Sequence, residues 1–240
     1  MDLKTPSDMR ISIRHTRKIF PHVVVVAPGF FQSKETKTFK DLEKDLQKFT
    51  GVISMDFRGH GRSGGGYTFS ADEKEDLKTV LDYAKGHYKK VGVLGFSYGG
   101  AIAMIEQAEF SNIDSMVCVS SPMASDEVEF KWWTPDAVKL GIKGLEPGAG
   151  VRPANPFLQK IKPIDIISLI SPTPIFFIHG TDDPTVGVRH CRCLYERANE
   201  PKKVKIFERG SHAEEIYRQF RDPFVSEIRK WFSETLFTPR

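Results

Sequence analysis

Apolar residues fall along this chain in short dense runs, separated by stretches with helical spacing. Val23-Val24-Val25-Val26-Ala27 is unbroken and β-branched, the pattern of a strand buried on both faces of a parallel sheet. Runs at Val52 to Asp56, Val91 to Leu94, Met116 to Ser120, Pro174 to His179 and Val204 to Phe207 predict further strands. Between Lys37 and Phe49, Phe39, Leu42, Leu46 and Phe49 share one helical stripe. Helices are also predicted from about Asp72 to Lys85, Ala101 to Ala108, Val188 to Ala198 and Pro223 to Phe232. The looser alternation of Ile11 and Ile13 within Met9 to Ile19 predicts one edge strand or hairpin arm. Alternating β and α elements predict an α/β fold, with a mostly parallel central sheet and helices on both faces. Active sites of such sheets lie at the carboxyl ends of the strands.

The alternation stops after Ser121-Pro122. Residues Met123 to Ser171 carry several prolines and glycines and the cluster Phe130-Lys131-Trp132-Trp133, which reads as an insertion at a strand end. Residues 1–121 and 172–240 are then two parts of one core, and 122–171 form a short cap insertion. A chain of 240 residues fits that arrangement.

Composition narrows the function classes. The net charge of +4 comes from 35 basic and 31 acidic residues spread along the chain, which does not point to nucleic acid. No apolar run approaches membrane-span length, and Met1-Asp2-Leu3-Lys4-Thr5-Pro6 lacks the apolar core of a signal peptide. Cys118, Cys191 and Cys193 cannot all pair with one another; they are expected to be reduced thiols in a cytoplasmic protein, with no metal site.

The chemistry centres on Gly95-Phe96-Ser97-Tyr98-Gly99, between a predicted strand and a predicted helix. This G-x-S-x-G context makes a nucleophile elbow, in which a Cβ at Gly95 or Gly99 would crowd the turn. Tyr98 falls at the first turn of the helix, where its free N–H and the helix dipole suit a developing oxyanion. A serine hydroxyl needs a base and an orienting carboxylate. His179-Gly180-Thr181-Asp182-Asp183-Pro184 and Gly210-Ser211-His212 follow later strands, and the order Ser97, Asp183, His212 is the one associated with this elbow. His179 is read as fixing a strand end, and His15, His22, His87 and His190 as surface residues.

From Val23 onward the sequence resembles an α/β-hydrolase-fold serine hydrolase. The resemblance selects Asp183 over Asp182 through the segment from His179 to Val186. It implies a second oxyanion donor in Pro28-Gly29-Phe30, the backbone N–H of Phe30, although Pro28 stands where such proteins often carry histidine. Phe31 beside it is placed at the substrate pocket, with a core role as the alternative. Phe130, Trp132 and Trp133 either line an acyl pocket or form the core of the cap. Asp56-Phe57-Arg58-Gly59-His60-Gly61-Arg62-Ser63-Gly64 contains G-x-G-x-x-G, yet the loop continues before any helix begins, so nucleotide binding is disfavoured. It resembles a structural loop of these hydrolases, with His60 fixing the loop.

The layout is similar to small bacterial carboxylesterases, feruloyl and cinnamoyl esterases among them. The expectation is therefore a cofactor-independent serine hydrolase acting on a small-molecule carboxylic ester through an acyl-enzyme. A peptidase or thioesterase using the same triad, or a non-catalytic ligand-binding member of the fold, are the alternatives. The sequence sets no oligomeric state, and a homodimer is compatible with it.

Overall fold

The computed structural model describes residues 1–16, 20–129 and 146–237. Eight strands form one sheet in the order β1-β2-β4-β3-β5-β6-β7-β8. They are β1 (Asp2–Lys4), β2 (Arg10–Thr16), β3 (His22–Ala27), β4 (Gly51–Met55), β5 (Lys90–Phe96), β6 (Ser115–Val119), β7 (Ile175–Gly180) and β8 (Lys202–Phe207). β3 to β8 run parallel, whereas β2 pairs antiparallel with both β1 and β4. The hairpin arm expected near Met9 is thus β2. The edge itself is β1, a three-residue strand too short to show a period.

The valine run reads as its composition requires. Val23, Val25 and Ala27 face one apolar cluster, and Val24 and Val26 the other. Helices α2 (Glu73–Lys85) and α3 (Tyr98–Phe110) fill the first cluster with Leu77, Leu81, Ile102 and Met104. Helix α1 (Lys37–Leu46) fills the second with Phe39, Leu42 and Leu46. Phe49 joins the same core through a turn, so the predicted stripe outlasts the helix by three residues. A short helix α4 (Pro163–Ile166) precedes β7, and α5 (Val188–Arg197) follows it. Two helices close the chain, α6 (Glu214–Gln219) and α7 (Arg221–Thr235); the sequence signalled only the second. The outer strand β8 carries Lys202, Lys203 and Lys205, charges that oppose edge-to-edge pairing.

Two histidines read as surface residues are buried. His22 opens β3 and stacks on Phe237 at 3.9 Å between ring centroids. His190 lies within α5, and its Nδ1 accepts the Met123 N–H at 3.2 Å. Burial lowers the pKa of both rings.

One buried carboxylate makes stability pH-dependent. Glu106 on α3 is 0% exposed; Oε1 accepts from Asn112 Nδ2 at 3.1 Å, while Oε2 has no partner among the described residues. Burial pushes this carboxyl up to about 7, from an ordinary value of 4.5. The folded state holds the proton more tightly than the unfolded chain does, so this stability is complete below pH 4.5 and is lost as pH rises toward 7. At about 1.4 kcal/mol per unit the loss has a ceiling of about 3 kcal/mol. Glu106→Gln is expected to melt higher than wild type at pH 8, with the difference closing near pH 4.5. Equal melting differences at both pH values would contradict this.

Candidate active site

β4 and β5 lie on opposite sides of β3, so the strand order reverses at β3, the place in such sheets where ligands bind outside the carboxyl ends of the strands. Ser97 sits at that point. Its backbone has φ 48° and ψ −118°, a strained conformation for a residue with a side chain. The elbow holds it there by close backbone contact. A Cβ at Gly99 would run into the carbonyl oxygens of Ala27 and Pro28, and one at Gly95 would lie 2.6 Å from Gly100 Cα. The Ser97 N–H donates to Val119 O at 2.7 Å, which ties the elbow to β6.

Two later strand ends complete the cluster. Asp183 follows β7 and His212 follows β8, and neighbouring strands bring the two together. His212 Nδ1 lies 2.7 Å from Asp183 Oδ2, and His212 Nε2 lies 3.0 Å from Ser97 Oγ. An ionised carboxylate only accepts, so Nδ1 carries the hydrogen and the Nε2 lone pair faces the serine O–H. Asp183 Oδ1 accepts the N–H groups of Thr185 at 2.9 Å and Val186 at 2.8 Å, which fixes the carboxylate. Asp182 instead stays exposed, in contact with Thr181 Oγ1.

Electrostatics reinforce the geometry. Burial by itself would raise the Asp183 carboxyl, but the charge of His212 and hydrogen bonds from His179, His212 and Val186 hold it far below the usual range. Burial would lower His212; the charge and hydrogen bond of Asp183 outweigh that and raise it. His179 Nε2 donates to Val186 O at 2.6 Å, the strand-end role expected for it.

The N–H groups of Phe30 and Tyr98 donate no hydrogen bond among the described residues. Gly29 brings the Phe30 loop against the elbow, since a Cβ there would lie 3.1 Å from Ser97 Cβ. Tyr98 opens α3, a helix of 13 residues, so its N–H lies at the positive end of the helix dipole. Phe31, the next residue, is 37% exposed, with its ring edge-on to Phe30 at 4.8 Å.

Residues 24–167 match the model of the alpha/beta hydrolase family. The chain belongs to that family. A Bacillus subtilis protein of uncharacterised activity, YqkD, is 27% identical over 207 residues, covering 80% of this chain; the chain spans 65% of that relative's length. The human serine hydrolase BPHL is 38% identical over 100 residues, covering 40% of this chain and 34% of its own. Among solved structures, the Pyrococcus furiosus esterase Pf2001 superposes with a TM-score of 0.81 at 22% identity, over 98% of this chain and 91% of that one. The Rhodococcus esterase RhEst1 gives 0.82 at 19% identity, over 98% of each. At such identities these likenesses show the fold.

Phe130, Trp132 and Trp133 of this alpha/beta hydrolase lie outside the described residues. The described residues contain no helix long and apolar enough to cross a membrane, and no group of three or more His, Cys, Asp or Glu side chains placed to hold a metal ion. One contact at the site had no signal in the sequence. Gln32 Nε2, on the loop after β3, donates to Glu214 Oε1, just past His212. The two are 182 residues apart, and only the fold brings them together. Burial pushes the Glu214 carboxyl up to about 7.

Proposed function

We propose that this alpha/beta hydrolase is a serine hydrolase that cleaves carboxylic esters through an acyl-enzyme. The observation that carries the reading is the hydrogen-bonded series from Ser97 Oγ through His212 to Asp183, at 3.0 and 2.7 Å. In this reading Ser97 attacks the acyl carbon while His212 Nε2 takes its proton and Asp183 stabilises the imidazolium. The N–H groups of Phe30 and Tyr98 bind the tetrahedral oxyanion. His212 then protonates the leaving alkoxide, and water releases the acid by the same steps in reverse order. Phe31 borders the pocket, and the described parts of the insertion, residues 122–129 and 146–171, serve as its cap. The named esterases among the structural neighbours favour an ester as the scissile group.

The reading fixes the sign of the pH dependence. Catalysis needs neutral His212, and Asp183 raises the pKa of this ring above 6.5. On p-nitrophenyl acetate, kcat/KM is expected to fall as pH drops through a value above 6.5, approaching tenfold per unit. Activity that still rises below pH 5 would contradict a histidine base.

A further inference from the structure

An N–H kept open for an oxyanion needs its neighbouring peptides held by something else. The loop after β3 is held from outside itself. His60, in the loop after β4, has its ring buried edge-on against Tyr67 at 4.7 Å and Phe30 at 6.1 Å. Its Nδ1–H donates to Arg58 O at 3.2 Å, which leaves Nε2 to accept the Phe31 N–H, also at 3.2 Å. Burial pushes this ring down to about 4, so it stays a neutral acceptor in any ordinary buffer. Arg58 is anchored in turn, because its N–H and guanidinium both bond to the buried Asp76.

The other side of Phe31 is held as well. The Gly150 N–H donates to Phe31 O at 2.8 Å, and the next residue, Val151, forms a β-bridge with His60 itself. Phe31 has φ 68°, a left-handed conformation that costs a residue with a side chain on the order of 1 kcal/mol. Two bonds from two distant segments meet at this one strained residue, directly after Phe30. Nothing among the described residues accepts the Phe30 N–H, and Gly29, the residue before it, packs against Ser97.

We propose that His60 is a positioning residue of the oxyanion loop: its Nε2 fixes the Phe30–Phe31 peptide and thereby aims the Phe30 N–H at the developing charge. The proposal rests on the serine-hydrolase reading. Its prediction separates the two ring nitrogens. Asparagine reaches about as far as Nδ1 and loses the acceptor, whereas glutamine reaches the Nε2 position and keeps one.

His60→Asn is expected to lower kcat for p-nitrophenyl acetate about 10- to 100-fold, the scale of a small misplacement in a catalytic constellation, with KM within twofold. His60→Gln is expected to recover most of that loss. Phe31 amide exchange, followed by NMR, should accelerate in His60→Asn and stay slow in His60→Gln. Equal losses in both variants, a change confined to KM, or unchanged Phe31 exchange in a folded His60→Asn would overturn the proposal. Wild type and Ser97→Ala are assayed alongside. If wild type turns over and Ser97→Ala does not, a His60→Asn as fast as wild type refutes the positioning role alone. If wild type is no faster than Ser97→Ala, the hydrolase reading fails and the proposal falls with it.

Discussion

Ser97→Ala is expected to fold normally and to hydrolyse p-nitrophenyl esters on the order of 10⁶-fold more slowly in kcat than wild type, the scale set by nucleophile deletions in serine hydrolases. The fold should survive because what holds the elbow is backbone. The Ser97 N–H to Val119 bond and the contact of Gly99 with the chain after β3 do not involve the hydroxyl. Ser97 Oγ is bonded to His212 Nε2, so what the variant loses is the nucleophile and its bond to the base. Matched circular dichroism and melting curves, with steady-state kinetics on both proteins, check this. A kcat within tenfold of wild type would move the chemistry away from Ser97.

Asp183→Asn is expected to cost on the order of 10⁴-fold in kcat, the scale of the same change in another Ser-His-Asp enzyme. The asparagine oxygen can still accept from Thr185 and Val186, so the loop after β7 keeps its shape. Its amide would then face His212 Nδ1 as a donor, where the carboxylate was an acceptor. The imidazole would be driven to carry its hydrogen on Nε2, facing Ser97 with a donor instead of a lone pair. Loss of the carboxylate charge also removes what raises His212, so the surviving activity should fall off at lower pH than in wild type. Steady-state rates across pH measure both effects. Full activity in Asp183→Asn would remove the carboxylate from the mechanism.

Much of this was legible in sequence because it rests on local chemistry. The valine run at β3 had to be a strand buried on both sides, and the glycines around Ser97 had to admit a tight turn. Chain order and position after predicted strands brought His212 and the Asp182-Asp183 pair forward as candidates, and the resemblance chose Asp183; the structure places Asp183 and His212 beside Ser97. What escaped notice is long-range or short. Helix α6 has six residues and buries only Ile216 and Tyr217, too little to show a helical period. His22 and His190 were misread because a polar residue in an element carries no sign of the surface packed above it. The Gln32–Glu214 contact and the Phe31–His60 bond each join loops that no spacing rule relates. The expected boundaries of α1, α3 and β8 differ from the structure by a few residues, where hydrogen bonding and apolar period part company.

The most direct measurement is to react the folded wild-type protein with a fluorophosphonate and map the modified residue by peptide mass spectrometry. An activated serine is expected to be labelled within minutes at neutral pH, with the added mass confined to the peptide containing Ser97. Ser97→Ala and His212→Ala should remain unlabelled. No adduct on a well-folded protein, or an adduct on another residue that persists in Ser97→Ala, would contradict the account of Ser97 as a nucleophile activated by His212 and Asp183.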